Sequence, residues 1–227
     1  MERNGKRSGL NGAQLKGIAF GTMVVDHAAV MLLQETGTLY WSMRLIGRLA
    51  FPLYCFLLAE GFCHTRSAGR YLGRLAALAV VSEIPFNLLN RGAAADPMHQ
   101  NVMFTLFLGL LALWGNMTLQ NRGKAFAGLL WCACMAALAE VFRTDYGWAG
   151  VALVVCLHRF RAAEVPRTVT GFATLMLGVS PVEITALFSF ALMNLYNGER
   201  GGGRGQRLFY LSYPLHLLVL WGVAQFL

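Results

Sequence analysis

Asp26, His27, Arg44, Arg48 and Glu83 stand inside stretches that are otherwise apolar. Asp26 and His27 fall within the run 15–33, the two arginines open RLIGRLAFPLYCFLLAEGF, and Glu83 interrupts a third run. A charged side chain at membrane depth costs about 2.5–3.5 kcal/mol on insertion scales, so such residues face other protein and mark functional sites. Histidine can take and return a proton or carry a group covalently, and arginine can neutralise charge that develops during a reaction. For any one of them a structural reading competes, such as a histidine bonding two helices or an arginine–carboxylate lock. Their gathering at one depth, with Asn101 and Asp145 expected there too, favours chemistry.

A second set lies toward the other end of the same runs. Glu60 and His64 are spaced i,i+4, and Arg66, Arg70 and Arg74 follow at intervals of one helical turn, predicting an arginine stripe. Guanidinium forks match phosphate oxygens, so the stripe could grip a phosphorylated ligand; plain topology signalling and lipid headgroup binding compete with that reading. Tyr213 and His216 sit in the last apolar run. Other chemistries fit poorly. The five cysteines lack paired spacing, and no HExxH, P-loop or GxSxG string occurs. His27, His64 and His216 belong to different depths, so no metal site is expected.

The elements that must hold these residues are apolar helices. Of 227 residues 56% are hydrophobic and only 13% charged, which excludes an ordinary soluble domain. Runs long enough for spanning helices are expected near 15–34, 45–63, 71–90, 100–117, 125–142, 146–160 and 208–227. The stretch 162–196, split at Ser180-Pro181, predicts two short tilted helices or a re-entrant pair. Arg3, Lys6, Arg7 and Lys16, then residues 63–74, 117–124, 158–167 and 197–207, carry most of the loop lysines and arginines, while the intervening loops hold little beyond Arg91 and Arg143. The net charge of +8 therefore reads as topology rather than nucleic-acid binding. The expected fold is an all-α, polytopic membrane helix bundle of about nine transmembrane helices, eight to ten at the limits, with its N-terminus cytoplasmic. Residues 1–14 form a polar segment without a cleavable signal, and 15–227 a single domain. Pro52 and Pro85 fall inside apolar runs beside charged residues; each frees a backbone carbonyl, which favours a hydrated cavity nearby, with ordinary helix kinking as the competing reading.

The strings LKGIAFGTMVVDHAAVM, RLIGRLAFPLYCFLLAEGFCHTR, YLGRLAALAVVSEIPFNLL, QNVMFTLFLGLL, DYGWAGV and YLSYPLHLL together resemble the TraX family, named after a conjugal-transfer protein that acetylates the N-terminus of F-type pilin. The resemblance implies a multi-pass enzyme of the bacterial cytoplasmic (inner) membrane, similar to membrane acyltransferases that use acetyl-CoA as co-substrate without a metal. It implies acetyl transfer to an amine or hydroxyl acceptor at the outer face, either a protein N-terminus such as pilin or a small molecule or glycan. His64, Arg66, Arg70, Arg74 and Tyr213 would hold acetyl-CoA. His27 would act as general base or acetyl carrier, with His216 as its rival. Asp26 would pair with Arg44 or Arg48, Glu83 or Asp145 would orient His27, and the remaining arginine or Asn101 would stabilise the oxyanion. The lipid bilayer is the expected surrounding. A small-solute transporter or flippase with an intramembrane polar site is the alternative reading of the same residues, and a non-catalytic scaffold explains the number of costly polar groups less well.

Overall fold

The computed structural model describes residues 9–96, 98–201 and 208–226. Arg3, Lys6, Arg7, Arg204 and Arg207, which entered the topology reading, lie outside the described residues, as does the side chain of Arg91. The chain folds into α1 Gly12–Leu32, α2 Thr38–Gly47, α3 Ala50–Cys63, α4 Ala68–Arg91, α5 Val102–Gln120, α6 Ala125–Val141, α7 Gly147–Arg159, α8 Glu164–Gly178, a 3-10 turn Pro181–Ala186, α9 Leu187–Asn194 and α10 Leu208–Ala224. Among the described residues four stretches are long and apolar enough to cross a membrane: α1, the combined span Thr38–Cys63, α4 up to Asn90, and α5. The remaining helices are shorter.

Local chemistry sets the helix starts. Asn11 closes a capping box on α1, its side chain accepting from the backbone of Ala13 and Gln14 while the Gln14 side chain accepts from the backbone N–H of Asn11. Ser67 caps α4 through the Arg70 amide and Asn101 caps α5 through that of Met103. The Ser67 cap corrects one expectation. Arg66 lies before the cap, off the helix, so the three arginines form no stripe and only Arg70 and Arg74 share a face of α4.

The helix expected at 45–63 instead begins at Thr38 and breaks at Arg48-Leu49. There the Leu49 N–H reaches Ile46 instead of Leu45, so the Leu45 carbonyl is passed over. Thr185 Oγ1 donates to that carbonyl at 2.7 Å and Ser189 Oγ to the Leu49 carbonyl at 3.0 Å. These two hydroxyls, from the 3-10 turn and α9, satisfy backbone groups at the break that an apolar surrounding would leave costly. Residues 162–196 form α8 followed by the 3-10 turn and α9, two short helical units meeting at Ser180-Pro181.

Inside the bundle, α5 packs against α4, α6 and α7, while α1 touches α2, α3 and α10, and α10 lies along α4. Leu15, Leu53, Leu110, Leu153 and Phe190 are fully buried between them. Leu177, Val80, Phe126, Phe188 and Val219 stay exposed on the outside, an apolar surface that suits lipid better than water. A short parallel bridge between Leu10 and Tyr196 ties the start of α1 to the segment after α9.

Candidate functional site

Asp26 sits near the far end of α1, where α2 approaches closely. A Cβ on Gly47 would lie 2.1 Å from Asp26 Oδ1, so the approach requires glycine there. Asp26 Oδ2 accepts from Arg44 Nη1 at 2.6 Å and from Arg48 Nη2 at 2.9 Å, and its Oδ1 accepts from Arg48 Nη2 at 2.8 Å. Both arginines therefore hold Asp26, where either alone was expected. Arg48 continues outward, Nη1 donating to Glu183 Oε1 at 3.1 Å and to the Tyr146 hydroxyl at 3.3 Å. Two guanidinium groups thus face two carboxylates, and the network joins α1, the α2–α3 break, the 3-10 turn and the head of α7.

Glu183 is a member that sequence reasoning missed. It is 0% exposed and stands 135 positions from its arginine. The only local signal was an acidic residue just after Ser180-Pro181, inside a stretch read for topology alone. Tyr146 adopts a left-handed conformation, φ 63°, at the cap of α7, and its ring stacks on Phe51 with centroids 3.6 Å apart.

Glu83 and Asp145 are engaged away from His27, against the expectation that one of them orients it. Glu83 Oε2 accepts from Asn101 Nδ2 at 2.5 Å and from the Asn101 backbone N–H at 3.3 Å. Asn101 also donates to the Ala79 carbonyl at 2.9 Å and accepts from the Met103 amide, so both ends of its amide serve the α4–α5 junction. The Asp145 backbone carbonyl accepts from Thr105 Oγ1, and its carboxylate turns toward the partly exposed His99, 3.8 Å from Nε2.

His27 meets His216 instead. His27 Nδ1 and His216 Nε2 are 2.8 Å apart, and with ring centroids 5.0 Å apart and planes inclined by 25° the rings meet edge to edge, nitrogen to nitrogen. His216 Nδ1 lies 2.9 Å from the Ser212 carbonyl one turn earlier on α10. The Tyr213 ring stands 6.4 Å from that of His27 and 5.6 Å from that of His216, and Phe20 packs edge-on against His216. The two histidines expected to compete for one role thus form one unit joining the first and last helices.

A cavity of about 220 Å³ is lined in part by Tyr213, the neighbour of this pair. Lys16, His64, Arg74 and Arg200 line it, with Tyr54, Tyr71, Tyr196, Met103 and Tyr213. Among the expected phosphate-holding residues, His64, Arg74 and Tyr213 are present, while Arg66 and Arg70 point into the surroundings and do not line it. Lys16 and Arg200 take their place; both had been counted only as loop charge. Glu60, also on the wall, is held by Arg161 through two parallel bonds of 3.1 Å. Burial, with the Glu60 carboxylate nearby, pushes the Tyr196 phenol up from its ordinary range. A second cavity, about 200 Å³, lies among Phe86, Asn87, Asn90, Asp96 and His99, just past Pro85. Among the described residues no three His, Cys, Asp or Glu side chains converge as a metal site.

Fold and site define an all-helical protein with membrane-length apolar helices, a buried charge network and a paired-histidine centre. The chain belongs to the TraX family, whose model, described as TraX protein, matches residues 11–224. It is also similar to the "Probable fimbrial assembly protein FimC, serogroup H1" of Dichelobacter nodosus, 29% identical over 239 residues and covering 94% of this chain and 96% of that protein. No solved structure matches significantly.

Proposed function

We propose that the protein is a membrane acetyltransferase that takes acetyl groups from acetyl-CoA on the cytoplasmic side and passes them to an amine or hydroxyl acceptor reaching the opposite side. The observation that carries this reading is the cavity: the cationic or basic side chains Lys16, His64, Arg74 and Arg200 line it together with Tyr213, which stands beside the His27–His216 pair. A nucleotide with several phosphates would meet the cations, and a thin acyl arm would run along the tyrosines.

The second cavity supports delivery from the other face. Arg74 stands near the start of α4, and Phe86, Asn87 and Asn90 near its end. Arg74 and Asn90 are about 24 Å apart along α4, so the second cavity lies farther along the helix than the cationic wall of the first. The Leu10–Tyr196 bridge puts the N-terminal segment and the segment after α9 on one side, together with the α3–α4 turn at His64. In this reading that side is cytoplasmic, because the basic residues of those segments gather there, and the chain makes about nine crossings of the cytoplasmic membrane. The similarity to a fimbrial assembly protein favours a protein N-terminus, such as a pilin, as acceptor.

In this reading His27 is the base, the Asp26–Arg48–Glu183 network holds the site, and Arg44, which uses one nitrogen on Asp26, steadies the oxyanion. The test is acetyl-CoA binding and slow hydrolysis by purified, detergent-solubilised protein. Lys16→Ala and Arg74→Ala should each weaken binding about tenfold, Arg70→Ala should leave it unchanged, and His27→Ala should bind normally without turnover. Absence of acetyl-CoA binding by folded wild-type protein would overturn the proposal and return the polar site to the transporter reading.

A further inference from the structure

The geometry of the histidine pair carries an inference that rests on the acetyl-transfer reading. The Ser212 carbonyl can only accept, so the His216 nitrogen 2.9 Å from it, Nδ1, carries that ring's proton. The other nitrogen of a neutral His216, Nε2, then presents a lone pair, and it faces His27 Nδ1 at 2.8 Å. His27 must therefore carry its own proton on Nδ1, which leaves His27 Nε2 bare.

We infer that His216 is the positioning residue of His27, fixing its ring and tautomer so that His27 Nε2 is the atom that takes the acceptor's proton. A carboxylate commonly fills this place behind a catalytic histidine. Here the two candidates are committed elsewhere, Glu83 to Asn101 and Asp145 beside His99. Phe20 and Tyr213 hold the His216 ring from two sides.

The step then balances. The acceptor nitrogen or oxygen attacks the thioester carbonyl carbon, and its proton passes to His27 Nε2. Collapse of the tetrahedral adduct breaks the carbon–sulfur bond; the sulfur leaves with the electron pair and takes the proton from Nε2. An N–H or O–H acceptor and a thioester become an acetylated acceptor and a free thiol. Throughout, His27 Nδ1–H stays in place and donates to His216, which steadies the transient imidazolium.

Two readouts test the inference. The first is nitrogen NMR of the solubilised protein with labelled histidines, the His27 and His216 signals assigned by substitution; it does not depend on turnover. Wild-type protein should show His27 protonated at Nδ1 and bare at Nε2, and His216→Ala should release His27 into a mixture of tautomers. The second is kinetic. His216→Ala should lower kcat about a hundredfold with the KM for acetyl-CoA unchanged, and His216→Gln, whose amide oxygen can still accept from His27 Nδ1–H, should restore most of it. A clip that merely joins α1 to α10 would change thermal stability but not this split. His27 protonated at Nε2 in a wild-type enzyme that turns over, or full kcat in His216→Ala, overturns the inference alone. The expected spectrum in folded wild-type protein without any acetyl-CoA turnover overturns the transfer reading and the proton step with it.

Discussion

Replacing Arg48 with methionine isolates what the charge network contributes. The substitution keeps the length of the side chain and removes its bonds to Asp26, Glu183 and Tyr146. Asp26 retains Arg44 at 2.6 Å, so it is not stranded. Glu183 is: its side chain is 0% exposed, and Arg48 is its ion-pair partner among the described residues. Breaking a buried pair by removing one partner costs about 3–5 kcal/mol, because the remaining charge has lost its compensation. For a chain of this size 1 kcal/mol moves Tm by about 2–4 °C, which gives an expected loss on the order of 6–20 °C. Arg48→Met combined with Glu183→Met removes both charges, and replacing a buried pair by apolar groups of similar volume is often neutral. The double variant should therefore recover most of the lost Tm. The assay is thermal unfolding of the detergent-solubilised wild type, both single variants and the double variant, read as a double-mutant cycle. If the two single losses simply add in the double variant, Arg48 and Glu183 do not interact as a pair, and the reasoning fails.

Gly47→Ala should be tolerated far less than an ordinary helical glycine-to-alanine change, because the new Cβ would meet Asp26 Oδ1 at 2.1 Å; a Tm equal to wild type would show that α1 and α2 can separate at no cost. Thr185→Val and Ser189→Ala should each lower stability by about 1–3 kcal/mol by leaving the Leu45 and Leu49 carbonyls without their hydroxyl partners, and unchanged unfolding midpoints would mean that water takes those places.

Which residues are out of place in an apolar run was legible from composition and run length; that His27 and His216 share a depth was not, since they were expected at different ones and stand 2.8 Å apart. Asp26, His27, Arg44, Arg48 and Glu83 announce themselves because each charge is expensive in an apolar run. The existence of α1, α4, α5 and α7 follows from the same runs, and the DH, RxxGRxAFP, SEIPFN and YPLH strings in order pointed to the TraX family. Pairing was less legible. That Asp26 would meet an arginine follows from charge alone; that it meets both follows from the close approach of α1 and α2 at Gly47. The expectation of an arginine stripe failed at Arg66 because helical spacing was extended across Ser67, a cap residue that starts the helix after it.

What the sequence by itself determined is which side chains had to be hidden from lipid, since that depends only on residue type and the length of the surrounding apolar run. Which of them meet was decided by tertiary structure. Glu183 reaches Arg48 across 135 positions, His216 reaches His27 across 189, and Lys16 and Arg200 share a cavity wall with Arg74 only because the start of α1 is tied to the segment after α9. A one-dimensional pattern gives each helix its buried face. The neighbour of that face is selected by how several such faces pack at once, a property of the whole bundle that no single run of residues contains.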